Sequence, residues 1–306
     1  ETVKSTVTLT SFTQDKDWID NDYISKGTSS ALYVANNGKE LLFLTYTEKI
    51  INSEDIMVTF YDGYTAKGEL KQSDDNTGLS IVSVKVDDVV QTTLDKIKIA
   101  SLANSRVSNL LATPVIAIGR PYGNAESVGY GMLVSKGSYV YLNDQNYEIL
   151  TTDIYGSTKA NGIIINMKGE VLGIIDQQYC SEDCANLITA IGISDLKKTI
   201  ERMSNGEERT YLGIKGMDVS DEIMQSQGVP KGAYVTNIVM GSPAMNAGIQ
   251  SGDVIVKIGS TDILKYSDLT DANSEFQAET SVTIVLKRQS GDEYRDIEVE
   301  VVLKSM

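Results

Sequence analysis

Ser157 and Lys159 stand two apart in the stretch Gly156-Ser157-Thr158-Lys159-Ala160-Asn161, and in extended backbone residues two apart share a face. A hydroxyl and an amine so placed are the parts of a Ser–Lys nucleophile pair, which works only when burial lowers the pKa of the lysine. A solvated polar loop accounts for the same residues without any tuning, and that is the reading adopted. Asp74-Asp75 and Asp87-Asp88 are adjacent carboxylate pairs. No calcium-loop spacing surrounds them, so they read as solvated turn charge. Cys180 and Cys184 bracket Ser181-Glu182-Asp183, with no other cysteine and no histidine in the chain. A structural zinc site therefore lacks ligands, and no metal or cofactor is expected. A disulfide closing this loop fits an oxidising compartment, and two thiols fit a reducing one. Without histidine, the side chain best suited to proton transfer near neutral pH is missing, and imidazole mechanisms are ruled out.

The elements that must position such residues follow from length and patterning. At about 150 residues per domain, the 306 residues suggest two domains. Forty-two acidic against 27 basic residues give a net charge of −15, the wrong sign for neutralising nucleic acid or docking on anionic lipid. No apolar window reaches the ~18 residues of a membrane span, and the polar start Glu1 to Asp15 is unlike a signal peptide. The chain lacks an initiator Met, which fits processing that removed an export signal or anchor. Short β-rich runs occur at Ala31 to Ala35, Leu41 to Thr47, Ile56 to Phe60 and Leu79 to Val84, separated by turn signals. A second set includes Val115 to Ile118, Gly131 to Ser135, Tyr147 to Thr152, Gly162 to Asn166 and Val171 to Ile175. Two β units in tandem predict a double barrel. Ser194 to Met203 predicts a helix with Ser194 as N-cap and a stop at Asn205-Gly206. Beyond Glu207-Glu208-Arg209, strands at Ala233 to Val239, Val254 to Ile258, Val282 to Lys287 and Ile297 to Leu303 alternate with helices at Ser220 to Gln227 and Ser267 to Phe276. This predicts an α+β module.

The module carries Tyr211-Leu212-Gly213-Ile214, Gly232-Ala233-Tyr234-Val235, Gly241-Ser242-Pro243-Ala244, Ala247-Gly248-Ile249 and Gly252-Asp253-Val254-Ile255. Their order and spacing resemble the PDZ domains of HtrA/Deg proteases. The resemblance implies that backbone N–H groups around Leu212 and Gly213 hold a terminal carboxylate, while the peptide adds a strand beside Ile214 to Met217. The expected peptide-binding residues are Tyr211, Leu212, Gly213, Ile214, Lys215, Gly216 and Met217, with Leu269 and Ala272 on the helix forming the opposite wall. A β-branched residue at Gly213 is expected to abolish binding while leaving the fold intact.

Over about Gly27 to Met203 the chain resembles the chymotrypsin-like double barrel of the same family. Gly27-Thr28-Ser29-Ser30-Ala31 resembles its opening strand, Ile118-Gly119-Arg120-Pro121-Tyr122-Gly123 its I-G-N-P-F-G, and Asn166 to Ile174 its N-x-x-G-E-V-I-G-I. Counting from Leu44-Thr45 and from Asp55-Ile56 places Glu48 at the family's histidine. Ser73 to Val82 resembles S-D-x-x-T-D-L-A-V-L with Gly78 at the aspartate. Counting back from Asn166 places Ala160 at the nucleophilic serine. A serine hydroxyl needs a positioned base, and in another serine protease loss of the triad costs about a millionfold in kcat.

These readings predict a mainly β fold: an N-terminal segment 1–26, a chymotrypsin-like double β-barrel at 27–204, a linker at 205–209 and a PDZ domain at 210–306. With Glu48, Gly78 and Ala160 at the triad positions, the expectation is a catalytically inactive HtrA-like protein that is not an enzyme and that binds or scaffolds polypeptide C-termini or unfolded segments. An HtrA-like serine endopeptidase, or a structural or regulatory subunit of an active relative, is the alternative. The resemblance implies an extracytoplasmic location and a homo-oligomer, for which Phe12, Trp18 and Tyr23 are candidate aromatic contacts. By resemblance Cys180 and Cys184 lie beside the primary specificity pocket.

Overall fold

The computed structural model describes residues 2–16, 22–123, 126–180, 186–291 and 293–305. Trp18, the side chain of Tyr23 and Cys184 lie outside the described residues. The chain divides into two compact units, one comprising Glu1–Ser138 with Glu148–Glu207 and the other Tyr139–Tyr147 with Glu208–Met306.

Within the first unit, β1 (Thr6–Lys16), β2 (Asp22–Asn36), β3 (Glu40–Tyr46), β4 (Asp55–Thr59), β5 (Thr65–Asp74) and β6 (Leu79–Lys85) close a barrel in the order β1-β2-β3-β6-β5-β4. Val7 and Leu9 of β1 are buried in its core with Phe43, Val58 and Phe60. The residues set apart from the barrel in the sequence reading as an N-terminal segment, 1–26, therefore contribute a barrel strand. Thr6, Thr8 and Thr10, which alternate with Val7 and Leu9, hide the period-2 pattern in a segment that reads as polar. The rings of Tyr33 and Phe43 stack with centroids 5.2 Å apart, and Phe60 meets Phe43 edge-on. Leu41 to Leu44 are buried without alternation, as are Leu79 to Val84, because these central strands are covered on both faces.

After the short α1 (Gln91–Leu94), a second barrel is built from β7 (Pro114–Arg120), β8 (Ser127–Leu142), β9 (Gln145–Tyr155), β10 (Asn161–Asn166), β11 (Val171–Ile175) and β12 (Leu187–Gly192). Its order is β10-β11-β12-β9-β8-β7. The helix α2 (Ile193–Asn205) buries Leu196, Ile200 and Met203 and ends at Gly206 with φ 71°. Its N-cap is Gly192 rather than the expected Ser194. The Ser194 hydroxyl accepts from Ser105 N at 2.9 Å, and Ser194 N donates back to Ser105 Oγ at 3.0 Å. That exchange takes the side chain away from the capping role.

The second unit contains β13 (Thr210–Tyr211), β14 (Ile214–Asp218), α3 (Asp221–Gln227), β15 (Ala233–Ile238), α4 (Pro243–Asn246), β16 (Val254–Ile258), β17 (Thr261–Asp262), α5 (Tyr266–Asn273), β18 (Ser281–Ser290), β19 (Glu293–Val302) and β20 (Lys304–Ser305). The main sheet runs β14-β15-β16-β18-β19, which leaves β14 at an edge. Ser220 caps α3 by accepting from Ile223 N, and Ser242 caps α4 by accepting from Met245 N. Asp253 is fully buried and accepts a two-pronged bond from Arg288, Nε to Oδ1 and Nη2 to Oδ2, each 2.7 Å. That fork ties β18 to the Gly252-Asp253 turn.

Candidate functional site

Glu48, Gly78 and Ala160, the residues that the sequence reading aligns with the family's triad, all lie in the first unit, where hydrogen bonds link neighbours of each. Glu48 lies in a short turn of helix after β3, exposed and paired with Lys49 at 2.8 Å. The preceding Thr47 N donates to Gly78 O at 2.8 Å. Gly78 adopts φ 64° with open space where a Cβ would stand, so the turn into β6 uses backbone freedom that favours glycine. Two residues beyond Ala160, Gly162 N donates to the Tyr46 hydroxyl at 3.0 Å, and that hydroxyl donates to Ile175 O at 2.6 Å. Burial pushes the Tyr46 phenol far above its ordinary value, so it remains a neutral donor. Tyr46 thus pins the end of β3 to the start of β10 and to β11, a role that nothing in the sequence pattern singles out.

The loop between β9 and β10 satisfies its own polar groups. Ala160 is buried and its N–H donates to Ser157 O at 2.9 Å. Lys159 N donates to Ser157 Oγ at 3.1 Å, and Ser157 O accepts from Gln177 Nε2 at 3.3 Å. Ser157 Oγ therefore meets the backbone N–H of Lys159. Asp74, read from the sequence as one of a pair of solvated turn carboxylates, is instead buried. It accepts from Thr77 Oγ1 at 2.8 Å and pairs with Arg202 of α2 at 2.6 Å. Asp75 is exposed, as are Asp87 and the other turn charges beside it. Cys180 ends a turn after β11 and is half-buried. Among the described residues no cluster of His, Cys, Asp or Glu could hold a metal ion.

The second unit holds the other candidate site. Leu212 N, Gly213 N and Ile214 N converge on one carboxylate, each at 2.9 Å. The carboxylate is that of Asp144, in the turn between β8 and β9, whose tip Tyr139–Tyr147 belongs to this unit. Burial pushes the Asp144 carboxyl above its ordinary range, against the pull of the Ile214 and Gly213 N–H groups and of Arg209. Along the β14 edge, Asp144 N donates to Ile214 O at 2.7 Å and Asn146 Nδ2 to Gly216 O at 3.0 Å. On the other side of β14, Lys215 pairs with Asn237 and Met217 with Tyr234 of β15. Tyr211 pairs with Lys304 of β20.

Two expectations about this site need revision. Leu269 and Ala272 were expected as an open apolar wall, but both are buried in the core of the unit with Leu212 and Ile214. What α5 presents to the tip is Thr270, whose hydroxyl donates to Asp144 O at 3.0 Å. A side chain at Gly213 would not leave the fold intact either. Gly213 has φ 85°, and a Cβ there would stand 2.2 Å from Ser242 Cβ. Asp144 itself was missed; the signal available was Asn143-Asp144, a turn pair between two β-rich runs.

Residues 29–174 match the trypsin-like peptidase domain family and residues 234–288 the PDZ domain family. A probable serine protease do-like of Buchnera aphidicola (Acyrthosiphon pisum strain APS) is 29% identical over 234 residues, 74% of this chain and 47% of the relative. A probable periplasmic serine endoprotease DegP-like of Hahella chejuensis is 28% identical over 284 residues, 90% of this chain and 57% of the relative. The chain thus spans about half the length of these relatives. The solved HtrA-type protease AlgW with decapeptide superposes with a TM-score of 0.66 at 18% identity, covering 99% of this chain and 96% of that one. At that identity the superposition shows the fold. The relatives overturn the expectation that the chain is not an enzyme, since the proteins it matches are named serine proteases and endoproteases. The alignment of Glu48, Gly78 and Ala160 with the triad, counted from flanking motifs in the sequence, was too narrow a basis for placing it outside that class. Matched in both of its domains and along most of its length, the chain carries a trypsin-like peptidase domain followed by a PDZ domain and is similar throughout to HtrA-type proteases.

Proposed function

We propose that this chain acts on polypeptides as an HtrA-type protein of the serine-protease class and recognises their C-termini with its PDZ domain. The observation that carries the reading is the convergence of Leu212 N, Gly213 N and Ile214 N on a single carboxylate beside an edge strand. Those features suit an extended peptide that ends in a carboxylate: backbone donors take its terminus and the β14 edge takes its main chain. Because strand pairing uses backbone groups, affinity is expected to be modest, roughly micromolar. The test is calorimetric titration of the full chain with free-acid peptides and their C-terminal amides. Preferential binding of the acids is expected, and equal binding removes the reading.

Peptide-bond hydrolysis is the activity that the relatives' names bring to the chain. It is measured by following new amino termini on unfolded casein. A hydrolysis in this chain has to run without imidazole, since the sequence contains no histidine. The hydroxyls of the β9–β10 loop are Ser157 and Thr158, so variants at these two positions locate the nucleophile of any cleavage observed. An extracytoplasmic location belongs to the same reading, supported by relatives named periplasmic, and cell fractionation tests it. Self-association is tested by native mass, for which a single-chain value would remove it.

A further inference from the structure

The carboxylate loop of the second unit is already occupied by the chain itself. Both Asp144 oxygens are engaged: Oδ1 accepts from Gly213 N and Ile214 N, and Oδ2 from Leu212 N and Gly213 N, each at 2.9 Å. Asp144 N donates to Ile214 O at 2.7 Å, the bond that the last residue of an added strand would make. Its carbonyl accepts from Thr270 of α5 at 3.0 Å, and the carbonyl of Asn143 accepts from Arg209 at 3.0 Å. Asn146 extends the contact one step along the edge, to Gly216 O. Asp144 is 8% exposed. It also holds φ 60°, a left-handed conformation that costs a non-glycine residue about 1 kcal/mol and that Asp tolerates better than most. A residue kept in that conformation while its carboxylate takes every N–H of the loop is positioned as a ligand.

We infer that the tip of the β8–β9 hairpin is an internal ligand of the PDZ groove, in which Asp144 takes the place of a peptide C-terminus and external C-termini bind by displacing it. A second carboxylate cannot share the loop, because the three N–H groups are spent and two like charges would be forced within a few ångströms of each other. The groove is therefore self-closed. Its apparent affinity for an external terminus is reduced by the fraction of molecules in which the tip is docked. This rests on the reading of the groove as a C-terminus site, and it names how that site is regulated.

The test uses the full chain and two fluorescent decapeptide mixtures of randomised sequence, one with free C-termini and one amidated. Asp144→Asn keeps the shape of the tip and weakens its hold, while Asp144→Ala removes the carboxylate. Circular dichroism and thermal unfolding confirm that each variant folds. If the tip is docked in nine tenths of the molecules, freeing the loop raises affinity for the free-acid mixture about tenfold in Asp144→Ala. The gain should be smaller but of the same sign in Asp144→Asn, with no gain for the amidated mixture. Equal binding of the free acids by wild type and both variants overturns the internal ligand while leaving the C-terminus site standing. Should neither variant bind free acids better than amides, the C-terminus site itself fails, and the internal ligand falls with it. If Asp144→Ala does not fold, Thr270→Val supplies the same comparison, since it removes only the hydroxyl that holds the Asp144 carbonyl.

Discussion

Tyr46 shows how one hydroxyl can hold two barrels in register. It donates to Ile175 O and accepts from Gly162 N, so its loss leaves a buried N–H and a buried carbonyl unpaired. Tyr46→Phe should lower stability by about 1–3 kcal/mol, the cost of stranding buried polar groups, read from urea unfolding. An unchanged midpoint would show that the bridge contributes nothing. Asp253 makes the complementary case for charge. Its carboxylate is buried and held by both prongs of Arg288, and the bond to Asp253 raises the Arg288 pKa further. Removing one partner of such a pair typically costs about 3–5 kcal/mol. Because Arg288 is partly exposed, Arg288→Met should fall at the lower end of that range, and a loss below about 1 kcal/mol would mean that water replaces the fork.

At the level of elements, glycine at 213 is required by geometry. Its φ of 85° and the approach of Ser242 put the penalty for Gly213→Ala at about 1–3 kcal/mol for backbone strain alone. Thermal unfolding of the variant checks this, and a melting point equal to wild type would contradict it. Much of the element pattern was legible. The runs Leu41 to Thr47 and Leu79 to Val84, the stop at Asn205-Gly206 and the glycine-marked turns of the PDZ domain all follow from local pattern, because burial and turn chemistry act over a few residues. The β1 strand was not legible, since Thr8 and Thr10 alternate with its buried residues in a segment that reads as polar. The N-cap at Ser194 failed because a residue 89 positions away in sequence takes its hydroxyl. Asp144 was missed for the same reason: the groups that give it a role lie some seventy positions further on. Pairings across that separation leave no local trace.

At the scale of the whole molecule, the net charge of −15 bears on which polypeptides reach the groove first. Opposite charge steers encounter and salt screens it, with a Debye length of about 8 Å at physiological ionic strength. Basic unfolded polypeptides should therefore associate faster than acidic ones at low salt, and stopped-flow rates should converge as salt rises. Equal rates at low salt would show that the charge is too dispersed to steer. The central claim is that the N–H groups of Leu212, Gly213 and Ile214 receive a peptide C-terminus. It is tested most directly by titrating ¹⁵N-labelled Asp144→Asn chain with free-acid and amidated forms of one apolar-ended decapeptide and reading the backbone amide shifts of these residues. The account predicts large, saturable shifts at Leu212, Gly213 and Ile214 with the acid alone. Equal shifts with the amide, or shifts confined to other residues, would contradict it.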